Sequence, residues 1–307
     1  MGGRWLLKQG IALALGSAAT LALAAPTDPE APDEIVVEGQ RLTPAQARER
    51  AVAYVRHTGI ISGKESIARW IDPICPRVIG VAPNVAQQVI STVRAVAAQT
   101  GVPTAKPGCS PNIAINFVGD GNAFMRRISA SDPSQLAKLP VSQREALING
   151  GAPVRWWYFT ETRGRDGDRM NGMDPAFVTG AESGGATLPS NGESSTSMNY
   201  GSSVISTQMA RALHGATVVI DTVKADGATL DSVAAYAAMV AFAELQPRDT
   251  PFDGSILGLF GDADAPRSLS KLDQTFLKEL YALPLDRRAR QQRGRLVRAL
   301  QNEQSKF

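Results

Sequence analysis

The chain has 307 residues, 43% of them hydrophobic and 20% charged, a balance that excludes the disordered and multi-span membrane classes. Its 32 Lys and Arg against 29 Asp and Glu give a net charge of +3, and two of the basic residues, Arg4 and Lys8, lie in a leader. The remainder is near neutral, so charge gives no reason to expect nucleic acid as a partner.

"MGGRWLLKQG" supplies a positive start, "IALALGSAATLALA" an apolar run, and Ala22-Leu23-Ala24 a small-x-small cleavage site. The run of about 14 residues falls short of the roughly 20 that span a bilayer. Cleavage is expected after Ala24, because a cut after Ala25 would leave Pro26 first. These features predict a signal peptide over 1–24 and an exported chain, periplasmic or secreted. No cysteine follows the cut to carry a lipid anchor.

Residues 25–42 begin rich in Pro and acid and read as an extended arm. Within it, "DEIVVEGQR" resembles the TonB-box region of TonB-dependent outer-membrane receptors, departing from it at Glu38. That resemblance implies that residues 34–41 pair with a periplasmic or envelope protein; a plain spacer has the same composition. The rest of the chain lacks the many alternating strands of a barrel.

Residues 43–307 read as one α/β domain, a mixed twisted sheet flanked by helices. Thr43, Pro44 and Gln46 open a helix with a capping box, which runs to His57 and stops at Gly59. "RVIGVA" (77–82) is a strand, Asn84 caps a helix to about Gln99, and "NIAINFV" (112–118) is a second strand. Cys75 and Cys109 flank this strand–helix–strand unit, and in an oxidising compartment two cysteines pair. On the chain-entropy model a loop of about 35 residues contributes roughly 3–4 kcal/mol. Short helices follow to Asn149, then the aromatic strand "PVRWWYFTETR" (153–163). A Gly/Ser/Asn-rich loop (164–203), a strand pair from "SVISTQMA" and "ATVVIDTV", and an alanine-rich helix over 229–245 complete the middle.

That helix, the apolar turn at Ser255-Ile256-Leu257, and the run Leu269-Ser270, Asp273, Leu277, Leu280, Tyr281 are similar to the second half of metzincin-type zinc peptidases. The resemblance covers about 70 residues and implies a zincin-like second half. The same leader, paired cysteines and terminal arrangement also resemble a group of exported bacterial proteins from which no activity carries over. The metal positions depart from the peptidase pattern: Ala235, Tyr236 and Met239 stand where two His and a Glu would be. Asp231 and Glu244, the helix's carboxylates, are about 20 Å apart at 1.5 Å per residue and cannot share an ion. A zinc peptidase is excluded, and neither metal nor cofactor is expected.

Other candidates are weaker. His57 suits a helix C-terminus. His214 precedes a strand and lies near the serines of "SNGESSTSMNYGSS", but no Gly-x-Ser-x-Gly elbow supports a hydrolase. "VGDGNAF" (118–124) lacks the spacing and Lys of a phosphate loop and reads as an Asp-Gly turn. Alternation puts Trp156 and Tyr158 on one face and Trp157 and Phe159 on the other, either as core or as a binding surface. Arg287, Arg288, Arg290, Arg293, Arg295 and Arg298 mark a terminal helix, interrupted at Gly294, that is solvated or meets an anionic envelope surface. The expected function is a non-catalytic binding or scaffold domain. The alternatives are a hydrolase around His214 and the 164–203 loop, and an envelope-docking module.

Overall fold

The computed structural model describes residues 42–60, 66–169, 177–179, 187–189, 209–247, 250 and 252–306. The segments expected as a signal peptide (1–24) and as a docking arm (34–41), and most of the expected 164–203 loop, lie outside them. Residues Gln40–Phe307 form one compact unit.

The unit is α/β. Helix α1 (Pro44–His57) starts at the Thr43–Gln46 capping box, and the chain leaves it through Gly59 at φ 63°. Strands β1 (Arg69–Trp70) and β2 (Pro76–Ile79) follow, then α2 (Pro83–Thr100), β3 (Ile113–Val118), α3 (Gly121–Ser131), α4 (Val141–Asn149) and β4 (Val154–Gly164). A small antiparallel pair, β5 (Phe177–Thr179) and β6 (Thr187–Pro189), precedes β7 (Met209–Asp221). Helices α5 (Leu230–Phe242), α6 (Lys271–Ala282) and α7 (Ala289–Gln304) complete the chain.

β7 organises the main sheet. Along one edge it pairs antiparallel with β4; along the other it takes β1 at Ala212 and Leu213, then β3 from Ala216 to Asp221, both parallel. β2 pairs parallel with β3 on the outside. A strand with partners on both edges and helices over both faces is shut off from water, and residues 212–221 are all buried, His214, Thr217 and Asp221 among them.

The expected strand pair around 203–223 is a single strand from Met209. Gly215 does not turn the chain, because the register slips from Phe159–Gly215 to Thr160–Leu213 and leaves His214 as the extra residue of a bulge. The Asn84 cap is also corrected: Ala82 is the N-cap, with Pro83 at the first helical position and no side-chain cap bond. "VGDGNAF" is a strand-to-helix junction with Asp120 as the N-cap of α3. α7 runs through Gly294 without a break.

The two faces of the sheet carry separate cores. Ile113, Ile115, Val154, Trp156 and Val218 pack with α2 and α5, while Trp157, Phe159 and Val219 pack with Phe124, Met125 and Ile128 of α3. Alternation along β4 therefore divides its aromatics as the sequence implies. The Cys75–Cys109 disulfide, with its Cα atoms 6.0 Å apart, joins the segments that enter the paired strands β2 and β3.

Candidate functional site

The site is built around the C-terminal end of α5. Alanines 234, 235, 237, 238 and 241, each at most 4% exposed, let α2 and β7 pack closely against it. Burial extends over residues 232–242, wider than the core-facing stripe expected from Leu230, Val233 and Val240. A helix leaves its last carbonyls without intrahelical partners, and this end is shielded from water. Aromatic side chains supply the missing donors. Tyr158 OH donates to Val240 O at 2.5 Å, Trp70 Nε1 to Ala241 O at 2.8 Å and Tyr281 OH to Phe242 O at 2.7 Å; just beyond the helix, Trp156 Nε1 donates to Leu245 O at 3.0 Å. Burial pushes the Tyr158 and Tyr281 hydroxyls well above the ordinary tyrosine value, so both stay protonated as donors.

Beside this frame lies a cleft of about 360 Å³, walled by Trp156, Tyr236, Leu245, Leu257 and Phe260, with His57, Gln246 and Thr250 at its lining. The Tyr236 ring meets Trp156 edge-on at 6.2 Å and Phe260 at 5.1 Å. Burial raises the Tyr236 hydroxyl's pKa, so it remains neutral. Among the described lining residues, His57 is the one histidine, and none is a carboxylate, lysine or arginine.

Of the three positions where the peptidase pattern has metal ligands, the structure brings Tyr236 to the cleft and leaves Ala235 and Met239 in the core, 4% and 0% exposed. Asp231 accepts from Gln88 Nε2 at 3.0 Å and Glu244 pairs with Arg211 at 2.7 Å, so each carboxylate is held elsewhere. Among the described residues, no group of three or more His, Cys, Asp or Glu is placed to hold a metal ion.

The aromatic block of the expected binding surface is largely buried. Trp156 and Trp157 are 5% and 1% exposed and Tyr158 is partly buried; Tyr158 OH is spent on α5 and Trp156 Nε1 on Leu245 just beyond it. Trp156 alone of the block reaches the cleft. His214 sits at the β7 bulge with its ring 5.9 Å from Phe159, away from the cleft lining. Its pKa is lowered, chiefly by burial. The serines from Ser190 to Ser206 lie outside the described residues.

On α7, Arg290, Arg293, Arg295 and Arg298 are exposed, while Arg287 pairs with Asp286 at 3.6 Å and Arg295 with Glu279 at 3.4 Å. Among the described residues, no helix is long and apolar enough to cross a membrane.

Sequence reasoning missed Trp70 and Phe260. Trp70 stands alone in a two-residue strand, and Phe260 ends an apolar turn whose direction only packing decides. It also placed Asp273 in the peptidase-like run without its packing role. This fully buried carboxylate accepts from Tyr54 OH at 2.7 Å, Ser255 Oγ at 2.6 Å, Ile256 N at 2.9 Å and Ser270 Oγ at 2.8 Å. It ties α1, the Ser255 turn and α6 together behind the cleft, which gives the Ser255…Asp273 pattern a structural meaning. No protein-family model, no curated protein and no solved structure matches the chain.

Proposed function

We propose that the chain is an exported, periplasmic, non-catalytic binding domain whose cleft beside α5 holds a proline or aromatic side chain of a peptide segment. The frame is read as zincin-like without metal ligands, resting on the sequence resemblance. The observation that carries the reading is the wall of Trp156, Tyr236 and Phe260 around a cleft whose described lining bears no fixed charge. Such aromatic-lined grooves favour preformed extended segments with apolar anchors. The volume sits at the low end of ligand sites, large enough for one anchor.

The test is calorimetric titration of the purified chain with a proline-rich decapeptide and with N-acetyl-tryptophanamide. Binding of either, weakened at least tenfold in Phe260→Ala and Leu257→Ala, is the expected result. The reading fails if neither probe binds at millimolar concentration, or if both variants bind as the parent does. A hydrolase centred on His214 is the alternative; loss of a measured peptide or ester hydrolysis in His214→Ala would establish it instead. Envelope docking is the third reading, supported by Arg287, Arg290, Arg295 and Arg298 around one shallow surface concavity. Pull-downs with and without residues 25–42, and with the four arginines neutralised, separate its two routes.

A further inference from the structure

A second crevice lies at the carboxyl ends of β2 and β3. These strands are parallel neighbours, yet the helices that follow them leave to opposite faces. α2 packs with Ile113 and Ile115 on one face, and α3 packs with Trp157 and Val219 on the other. Where adjacent parallel strands send their connections opposite ways, the chain parts beyond the strand ends, and open α/β sheets bind ligands in that gap. Here it measures about 240 Å³ and is lined by Gly80, Asn116, Gly119, Asp120, Phe124 and Arg127, among others.

Asn116 is the informative residue. Its register beside Ile79 and Val219 puts its side chain on the face of the sheet that α3 covers, where Phe124 and Arg127 border the crevice. It is 2% exposed, and neither Oδ1 nor Nδ2 has a hydrogen-bond partner among the described residues. The start of α3 is already occupied: Gly121 N donates to Asp221 Oδ2 and Ala123 N to Asp120 Oδ1, each at 2.9 Å. The helix start therefore offers no anion site. Among the crevice's described lining residues, the buried polar side chain is the Asn116 amide, a donor–acceptor pair.

That pair selects its ligand. A carboxylate only accepts and an ammonium only donates, so either leaves half of Asn116 unsatisfied, whereas a carboxamide satisfies both atoms at once. The exposed rim charges, Asp120 and Arg127, are opposite in sign. The volume lies below the roughly 300–1,000 Å³ of drug-sized sites, which limits the occupant to a small solute. We propose that this crevice binds a small neutral molecule bearing a carboxamide edge, read by the Asn116 side chain against the apolar wall of Phe124. No residue of the Trp156 cleft takes part, so this site and the proposed function stand or fall separately.

The experiment follows the Asn116 side-chain amide by two-dimensional ¹⁵N–¹H NMR of the purified chain during titration with nicotinamide. Benzoate and benzylammonium serve as acceptor-only and donor-only controls. Nicotinamide should move the Asn116 amide pair together with the Gly80 and Gly119 signals, while the controls leave them in place. Asn116→Leu should weaken nicotinamide binding at least tenfold. Gly119→Leu keeps Asn116 and adds a side chain where a Cβ meets nothing within 4 Å, and it should block binding in a folded protein. The proposal is overturned if all three probes leave the Asn116 amide unmoved, as for an amide satisfied by buried water. Equal shifts from all three, or unchanged binding in Gly119→Leu, overturn it as well.

Discussion

At Asp273 a single carboxylate, 0% exposed, receives donors from Tyr54, Ser255, Ile256 and Ser270 with no basic side chain among them. Removing it strands several buried donors, each costing about 1–3 kcal/mol. Asp273→Ala should therefore lower stability by about 3 kcal/mol or more. Tyr54→Phe, which leaves the carboxylate its other partners, should cost only about 1 kcal/mol. Urea midpoints at unchanged slope measure both; equal losses would show that the carboxylate does not act as a hub. His214 gives a pH signature. Burial lowers its folded pKa, helped by Lys138, Arg169 and Arg163 and opposed by Glu161. The unfolded chain then binds the proton more readily, so stability is full above the unfolded value of about 6.5 and is lost as pH falls below it. His214→Asn should flatten the change in urea midpoint between pH 7.5 and pH 5 relative to the parent; an unaltered profile would mean that His214 titrates as in the unfolded chain.

At the scale of elements, α5 and α7 stand at opposite extremes. α5 is buried on every side, which its alanines allow, and the carbonyls at its C-terminal end depend on distant aromatics. α7 buries Ala289, Gln292, Leu296 and Leu300 and turns its arginines to solvent. Gly294 sits within it, and a Cβ there would meet nothing within 4 Å. Glycine inside a helix costs roughly 0.5–1 kcal/mol relative to alanine. Gly294→Ala should accordingly raise the melting temperature by about 1–4 °C, and a fall in scanning calorimetry would reveal a packing role for the missing side chain.

For the molecule as a whole, the sheet is held at its outer edge by the Cys75–Cys109 bridge, which closes a separation of 34 residues next to the parallel pair β2–β3. Restraining that loop in the unfolded chain stabilises by about 3–4 kcal/mol on the entropic model. Reduction, or Cys75→Ala with Cys109→Ala, should lower the unfolding free energy by about that amount. A change below about 1 kcal/mol would show that packing of α2 alone secures this edge.

Local signals were legible in the residues themselves. The Thr43–Gln46 box, the aromatic alternation of β4, the apolar run of β3 and the cysteine pairing each depend on neighbours in the chain or on a fixed strand period. Their energies are set within a few residues, so sequence determined them, together with the α/β class and the lack of paired imidazoles on α5. The tertiary structure decided what long-range packing controls. It made β7 one bulged strand and turned the aromatic block inward to cap α5. It also set Asn116 without a partner among the described residues at a sheet-end crevice and raised Trp156, Tyr236 and Phe260 around one cleft. These depend on which buried carbonyl or ring lies opposite, a pairing made across tens of residues, 89 from Trp156 to Leu245. No local pattern encodes it.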